Sequence, residues 1–363
     1  MRWLSRFSAP VFDRVRNESG AVIVFVAVAM VVLLGMTAFV IDFGRIWQER
    51  RELQAGATAG ALAIGEDCAW GLCDAGYNKQ ATAELYADAN ALDGAASVVV
   101  PVNLDLTGQT VRVVTATENS SGGNTMEMLF AGIVGFDTIT VGADAAVAWG
   151  TPLKAATIPL IFSDCEWRSD EPGWPGASPG GLPDPATAPA GTMVTITFHT
   201  TEDREKEKCD AHPGHDADMD GKLPAGFGWL DANSDCETEV TEGSLVSNDP
   251  GNSKPAGCSA SDFEDLLGEV VLIPYFSDFD GITGQGKNGK YVIEAHGPFL
   301  VAGYNFGSRK KYQKYDPDLT SGVPCSGSVR CIAGWFVRNV SHGGGPGGFG
   351  GEDRGAVVIK LIG

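Results

Sequence analysis

The hydrophobic pattern divides the chain sharply. Residues 21–41 (AVIVFVAVAMVVLLGMTAFVI) carry no charge and almost no polar side chain, and these 21 residues, at about 1.5 Å per helical residue, cover the roughly 30 Å hydrocarbon core of a bilayer. An unbroken apolar run of this length predicts a membrane helix, because a helix on a soluble core is apolar only at every third or fourth position. A secretory signal has a shorter apolar stretch and a small-residue cleavage site. Here the run leads straight into Asp42, Phe43, Gly44 and Arg45. The reading is an uncleaved signal anchor over 20–41, preceded by a basic tail at 1–19.

Beyond the run the pattern becomes periodic. Ile46, Leu53, Ala57, Ala61 and Ile64 recur near helical spacing in a stretch without proline, so the membrane helix is expected to continue as a stem. Gly56 and Gly60 form a GxxxG pair that lets helices approach closely. Because the pair lies outside the hydrocarbon in an Ala-rich run, packing onto the stem's own domain is favoured over dimerisation. A second helix is expected at 79–92 (KQATAELYADANAL). Strand-like alternation follows in ASVVVPVNL and TVRVVTAT, then a helix-like TMEMLFAGIVG, then a strand within DTITVGADAAVAWG. Residues 42–150 therefore read as the stem plus a small α+β module.

From 151 onward the apolar runs are all strand-like: TIPLIF, TMVTITFHT, EVVLIPYF, KYVIEAHGPFLVAGYNF, RCIAGWFVRNV and AVVIKLIG. The Pro- and Gly-rich stretch 171–191 reads as a long loop within this region, and 343–352 (GGGPGGFGGE) as a flexible loop before the last strand. The expectation for 151–363 is a loop-rich β domain built as a sandwich. The fold class is thus α+β: one membrane helix extending into a small α+β module, followed by an all-β domain stapled by disulfides.

Charge and cysteine content fix the side of the membrane. Arg2, Arg6, Arg14 and Arg16 precede the span and Arg45, Arg50 and Arg51 follow it, so flanking charge decides little. All eight cysteines lie after the span: Cys68, Cys73, Cys165, Cys209, Cys236, Cys258, Cys325 and Cys331. An even set in acidic, Gly-rich sequence reads as a disulfide framework formed outside the cytoplasm. The close pairs Cys68/Cys73 and Cys325/Cys331 would staple local loops, and the other four are expected to form two bridges whose pairing stays open. The localisation read from this is a single-pass cell-membrane protein, N-terminus cytoplasmic and bulk extracytoplasmic. A net charge of -20, from 26 Lys plus Arg against 46 Asp plus Glu, repels nucleic acid and excludes it as a partner.

Several catalytic patterns match by letter and fail by chemistry. In Gly176-Ala177-Ser178-Pro179-Gly180 the residue after the serine is proline, which has no N–H to build an oxyanion hole. The GxGxxG at 284–289 is followed by strand-like KYVIEA instead of the helix that would face a phosphate, so it reads as a hairpin loop. Asp216, Asp218 and Asp220 supply the DxDxDG half of a calcium loop, although Phe227 stands at position twelve where a bidentate Glu belongs. Calcium at these three aspartates is the one cofactor the sequence leaves open. Cys209, His212 and His215 have zinc-compatible spacing without a second ligand pair, and Cys209 reads better as a disulfide partner. No DxSxS adhesion-type metal triplet is present. No catalytic residues and no small-molecule substrate are expected.

The string from 14 to 66, with Glu-Ser-Gly before the span, Asp-Phe-Gly-Arg at its exit, Glu-Arg-Arg-Glu-Leu-Gln and an Ala-rich helix, resembles the N-terminal region of TadE/TadG-like proteins of the Flp, or tight-adherence, pilus system. GFGWLDANSDC, GNSKPAGC, VVLIPYFSDF and CSGSVRCIAGWF resemble the exterior part of actinobacterial TadG-like members. The resemblance implies a non-enzymatic, single-pass membrane protein that anchors or displays pilus components. Its implied partners are pilus subunits or assembly-platform proteins, and residues 21–41 contact the lipid bilayer. The alternative is an independent extracellular adhesion or binding module supported by calcium.

Overall fold

The computed structural model describes residues 19–92, 94, 96–119, 121–198, 208–210, 222–247, 249, 254–280, 289–342 and 348–362. These fall into two compact units. The first comprises Met1–Ala61, Asn78–Asn103 and Arg112–Ala145; the second comprises Leu62–Tyr77, Leu104–Val111 and Ala146–Gly363.

The first unit is organised along α1 (Ser19–Ala69), a helix long and apolar enough by length and composition to cross a membrane. Nearly every apolar side chain between Val22 and Ile41 is exposed. The stem behaves differently. Leu53, Ala57 and Ala61 are completely or almost completely buried, as their spacing predicts. Between them Gly56 and Gly60 face α2 (Lys79–Asn90), whose N-cap Asn78 accepts a hydrogen bond from the Ala81 N–H at 3.2 Å. A Cβ on Gly56 would sit 2.9 Å from the Ala87 Cα, and one on Gly60 3.3 Å from the Ala83 Cα. The GxxxG pair therefore meets an AxxxA pair on α2, and the stem packs within its own domain.

Strands β1 (Ala96–Val98), β2 (Asn103–Asp105) and β3 (Thr110–Thr117) follow. β1 and β3 pair antiparallel, with Ala96 opposite Thr117. Thr115 on β3 fastens this ladder to the helix: its buried hydroxyl donates to the Leu53 carbonyl at 2.9 Å. The segment expected to be a helix at 125–135 is not one. It forms β4 (Met126–Glu127), a four-residue 3-10 turn over Ala131–Val134, and then β5 (Thr138–Ile139), with β4 and β5 antiparallel. Gly132 and Gly135 weaken the helical choice, and Gly135 at φ 91° ends the turn in the left-handed region that glycine accepts without penalty. β6 (Gly142–Gly150) runs on from this unit into the second.

In the second unit, β7 (Lys154–Thr157), β8 (Leu160–Ser163) and the five-residue α3 (Asp164–Arg168) lead into the long Pro-Gly loop. The remaining elements in chain order are β9 (Val194–Thr197), β10 (Lys208–Asp210), β11 (Lys222–Pro224), β12 (Phe227–Trp229), β13 (Thr238–Thr241), β14 (Leu245–Ser247), α4 (Ala260–Glu264), β15 (Val270–Asp280), β16 (Lys290–Asn305), β17 (Gln313–Tyr315), β18 (Cys331–Phe336), β19 (Asn339–His342) and β20 (Ala356–Leu361). An eight-stranded sheet runs β12-β8-β15-β16-β18-β9, with β14 and β17 also on β16. This differs from a two-sheet sandwich, where each strand buries one face and shows the other. From Ala295 to Asn305 every residue of β16 is buried, so both faces of the sheet are covered.

The two faces carry different cores. Phe162, Tyr275, Phe299 and Phe336 belong to an aromatic cluster joined by Trp167, Trp229, Phe263 and Phe306, with rings meeting edge to face, such as Phe162 on Phe299 at 5.3 Å. The opposite face puts Ile161 and Phe276 with Leu230 and Val240, and Leu300 and Ala302 with Trp335 and Val337. This is why these strands read as nearly continuous apolar runs. Four disulfides close the framework: Cys68–Cys73, Cys165–Cys209, Cys236–Cys258 and Cys325–Cys331. The two local staples are those expected from spacing, and the structure supplies the other two pairings.

The α1–α2 seam yields a stability test. Gly56→Val should lower stability by roughly 1–3 kcal/mol, because the new side chain meets helix backbone that cannot move aside. Gly60→Ala should stay within about 0.5 kcal/mol, since a slight clash is offset by better helix propensity. Thermal unfolding of the detergent-solubilised protein by circular dichroism checks both.

Candidate functional site

The apolar run of α1 ends at Ile41, and the next residue is an acid that does not face solvent. Asp42 is 4% exposed. Its carboxylate accepts three backbone hydrogen bonds from the far side of the unit: the Leu129 N–H to Oδ1 at 3.0 Å, and the Phe130 and Ala131 N–H groups to Oδ2 at 3.0 and 2.7 Å. These amides open the 3-10 turn, whose own N-cap residue Phe130 offers no side-chain cap. Asp42 therefore caps a turn almost ninety residues away in sequence. Burial pushes the carboxyl upward, but the three amide donors and nearby Arg45 outweigh it and hold the group below the ordinary aspartate value. Arg45 adds a second tie by donating to the Glu127 carbonyl at 3.1 Å.

The segment held this way is a closed apolar lobe. The β4–β5 pairing forms its base, and the Met128 N–H donates to the Asp137 carbonyl at 2.9 Å. At its tip the Phe136 N–H donates to Ala131 and the Gly135 N–H to Ala131 and Gly132. Between the acids Glu127 and Asp137 lie nine uncharged residues, MLFAGIVGF. An apolar hollow of about 320 Å³ separates the lobe from the helix. Gly35, Ala38, Phe39, Phe43 and Ile46 line its helix side, and Met128, Phe130 and Ile133 its lobe side.

A second ionic cluster sits in the other unit. Arg354, 2% exposed, donates to Asp164 Oδ1 at 2.6 Å and pairs with Glu352 at 3.1 Å, while Arg168 reaches Asp164 Oδ2 at 2.7 Å. The Arg354 guanidinium lies 4.8 Å from the Trp167 ring centre and 5.5 Å from that of Tyr275. Burial pushes the Tyr275 hydroxyl far above its ordinary value. A fully buried carboxylate needs such partners, and the arrangement clamps the chain entering β20 onto α3.

The residues singled out in the sequence are placed as follows. Asp216, Asp218 and Asp220 lie outside the described residues, as do His212 and His215. Cys209 is bonded to Cys165 and so is not a metal thiolate. Among the described residues no group of three or more His, Cys, Asp or Glu could hold a metal ion. Ser178 is exposed, ahead of a three-residue 3-10 turn at Pro179–Gly181 and not at a strand-to-helix corner. The Gly-rich stretch 281–288 lies outside the described residues; β15 and β16 on either side of it pair antiparallel, with Asp280 opposite Lys290. In the sequence Asp42 marks only the end of the apolar run. Its isolation there, and the second uncharged run at 128–136, were the signals for a joint site.

Residues 20–65 match the family model described as putative Flp pilus-assembly TadE/G-like. The match takes in the exposed apolar half of α1, Asp42, and both glycines of the α2 seam. Comparison with curated proteins and with solved structures found no match.

The Asp42 tie can be read directly by hydrogen exchange. In Asp42→Ala the three amides lose a charged acceptor worth roughly 1.5–3 kcal/mol per bond. Exchange across 129–131 should rise at least about tenfold, while α2 keeps its protection. Mass spectrometry of the peptide spanning 126–139 measures it.

Proposed function

We propose that this chain is a non-enzymatic, single-pass membrane component of the Flp/Tad pilus-assembly system. Residues 21–41 cross the bilayer, the N-terminus lies in the cytoplasm, and the disulfide-stapled remainder lies outside. The observation that carries the reading is that the TadE/G-like match at 20–65 coincides with the helix whose side chains from Val22 to Ile41 are exposed and apolar. Such a surface is costly in water and favourable in lipid. Trp47, more than half exposed and stacked under Arg51 at 4.8 Å, fits an interfacial anchor just past the hydrocarbon. Four disulfides with no free cysteine support an oxidising compartment for the bulk of the chain. On this reading the exposed face of the stem docks pilus subunits or assembly-platform proteins and holds them beside the membrane. The failed catalytic patterns agree with an anchoring or displaying role.

Photocrosslinking side chains at Gln48 and Ala55, both exposed on α1, should capture pilus subunits or platform proteins in living cells, with the subunit adducts disappearing when the pilin is deleted. Capture of unrelated envelope proteins alone would shift the reading to an independent surface-binding module. Alkaline carbonate extraction should leave the protein in the membrane fraction.

A further inference from the structure

The lobe at 126–139 has no place in the anchoring role just described, yet its surface is unlike that of a water-facing loop. Ile133 is 84% exposed and Phe136 70% exposed, with Leu129 and Phe130 also open. A patch of this kind marks an interaction surface. What covers it follows from where it sits. The hollow beside the lobe is lined on the helix side from Gly35 to Ile46, and Gly35 lies six residues inside the end of the apolar run, about 9 Å along the axis. The lobe faces Gly35, Ala38 and Phe39 across the hollow and shares their depth. If those residues are in hydrocarbon, Ile133 is at its margin.

Most of the lobe's N–H groups are also paired within the protein. Without water, each N–H and C=O needs a partner within the protein. The Met128, Leu129, Phe130, Ala131, Ile133, Gly135 and Phe136 N–H groups all have acceptors, three of them the Asp42 carboxylate. No charged residue lies between Glu127 and Asp137 in sequence; Glu127 stands on β4 at the base of the lobe, while the Asp137 carboxylate reaches the turn beside Gly132. A Cβ built on Gly35 would meet nothing within 4 Å, so the helix side of the hollow is open there.

We propose that this lobe is a second membrane contact: its tip, Leu129 to Phe136, inserts into the outer leaflet beside the span, and a lipid acyl chain occupies the hollow. Asp42, at the water side of the apolar run, holds the lobe at that depth. This inference rests on the membrane reading of 21–41, and the same experiment separates the two. The full-length protein is placed in nanodiscs at one copy per disc, with a small fluorescent non-canonical side chain at Phe39, Ile133 or Leu85, and is titrated with lipids brominated on the acyl chains. Phe39 reports the span and Leu85 the exposed face of α2. Quenching at Ile133 comparable to that at Phe39 and several-fold above that at Leu85 is expected. Asp42→Ala should lower the Ile133 signal several-fold and leave Phe39 unchanged. Quenching at Phe39 without quenching at Ile133 overturns the lobe insertion and leaves the anchor standing. No quenching at either position overturns both. An Ile133 signal seen at one copy per disc but lost in crowded vesicles, with Phe39 unchanged, would assign the patch to a second copy instead.

Discussion

Everything in the first unit depends on how one helix changes its surroundings at a single residue. Up to Ile41 the side chains of α1 point outward and are apolar; from Leu53 onward the same helix buries its small residues against α2 and β3. Asp42 stands at the changeover. A carboxylate there is costly unless several donors meet it, and the chain brings back three amides from 129–131 to do so. The three bonds to Asp42, together with the β4–β5 pairing and the hydrogen bonds of the turn, fix the fold of this short, glycine-containing segment.

The helix seam and the strand runs were legible because they rest on local spacing. Leu53, Ala57, Ala61 and Ile64 fall on one face, and all four are buried. TVRVVTAT becomes β3 with the same limits. The lobe was not legible, and the reason is physical. Met126, Phe130 and Ile133 fall at helical intervals, but the donors at the start of that turn are satisfied by a residue 87 to 89 positions earlier. No local pattern encodes such a partner. The sandwich expectation failed for a related reason. Alternation identifies a strand with one wet face, whereas β16 is covered on both, so its sequence says that it is buried without saying by what.

Charge was misleading in the opposite sense. With 46 acidic residues and a net charge of -20, each Asp or Glu reads as part of a solvated surface. Asp164 is nonetheless completely buried between Arg354 and Arg168, joining residues 190 positions apart. Replacing such a pair by apolar side chains of similar volume is often tolerated, while removing one partner is not. In the fold it ties the segment just before β20 to α3. Composition cannot separate this acid from the exposed ones, because the distinction lies wholly in tertiary position.

The functional reading follows from the same division of labour. An enzyme gathers polarisable or titratable groups into a cleft that substrate can enter. Among the described residues the strongest ionic cluster, around Asp164 and Arg354, is instead sealed by Trp167 and Tyr275, and the hollow of the first unit is lined almost wholly by apolar side chains. What is exposed is aliphatic and aromatic surface along α1 and its lobe, and the TadE/G-like match falls on the first of these. Buried charge in this chain holds segments together, and its longest continuous exposed apolar surface runs along α1 from Val22 to Ile41. On the proposed reading the chemistry to be explained is that of attachment, and Asp42, which ties the lobe to the end of the exposed apolar run, is the residue through which attachment and fold would be coupled.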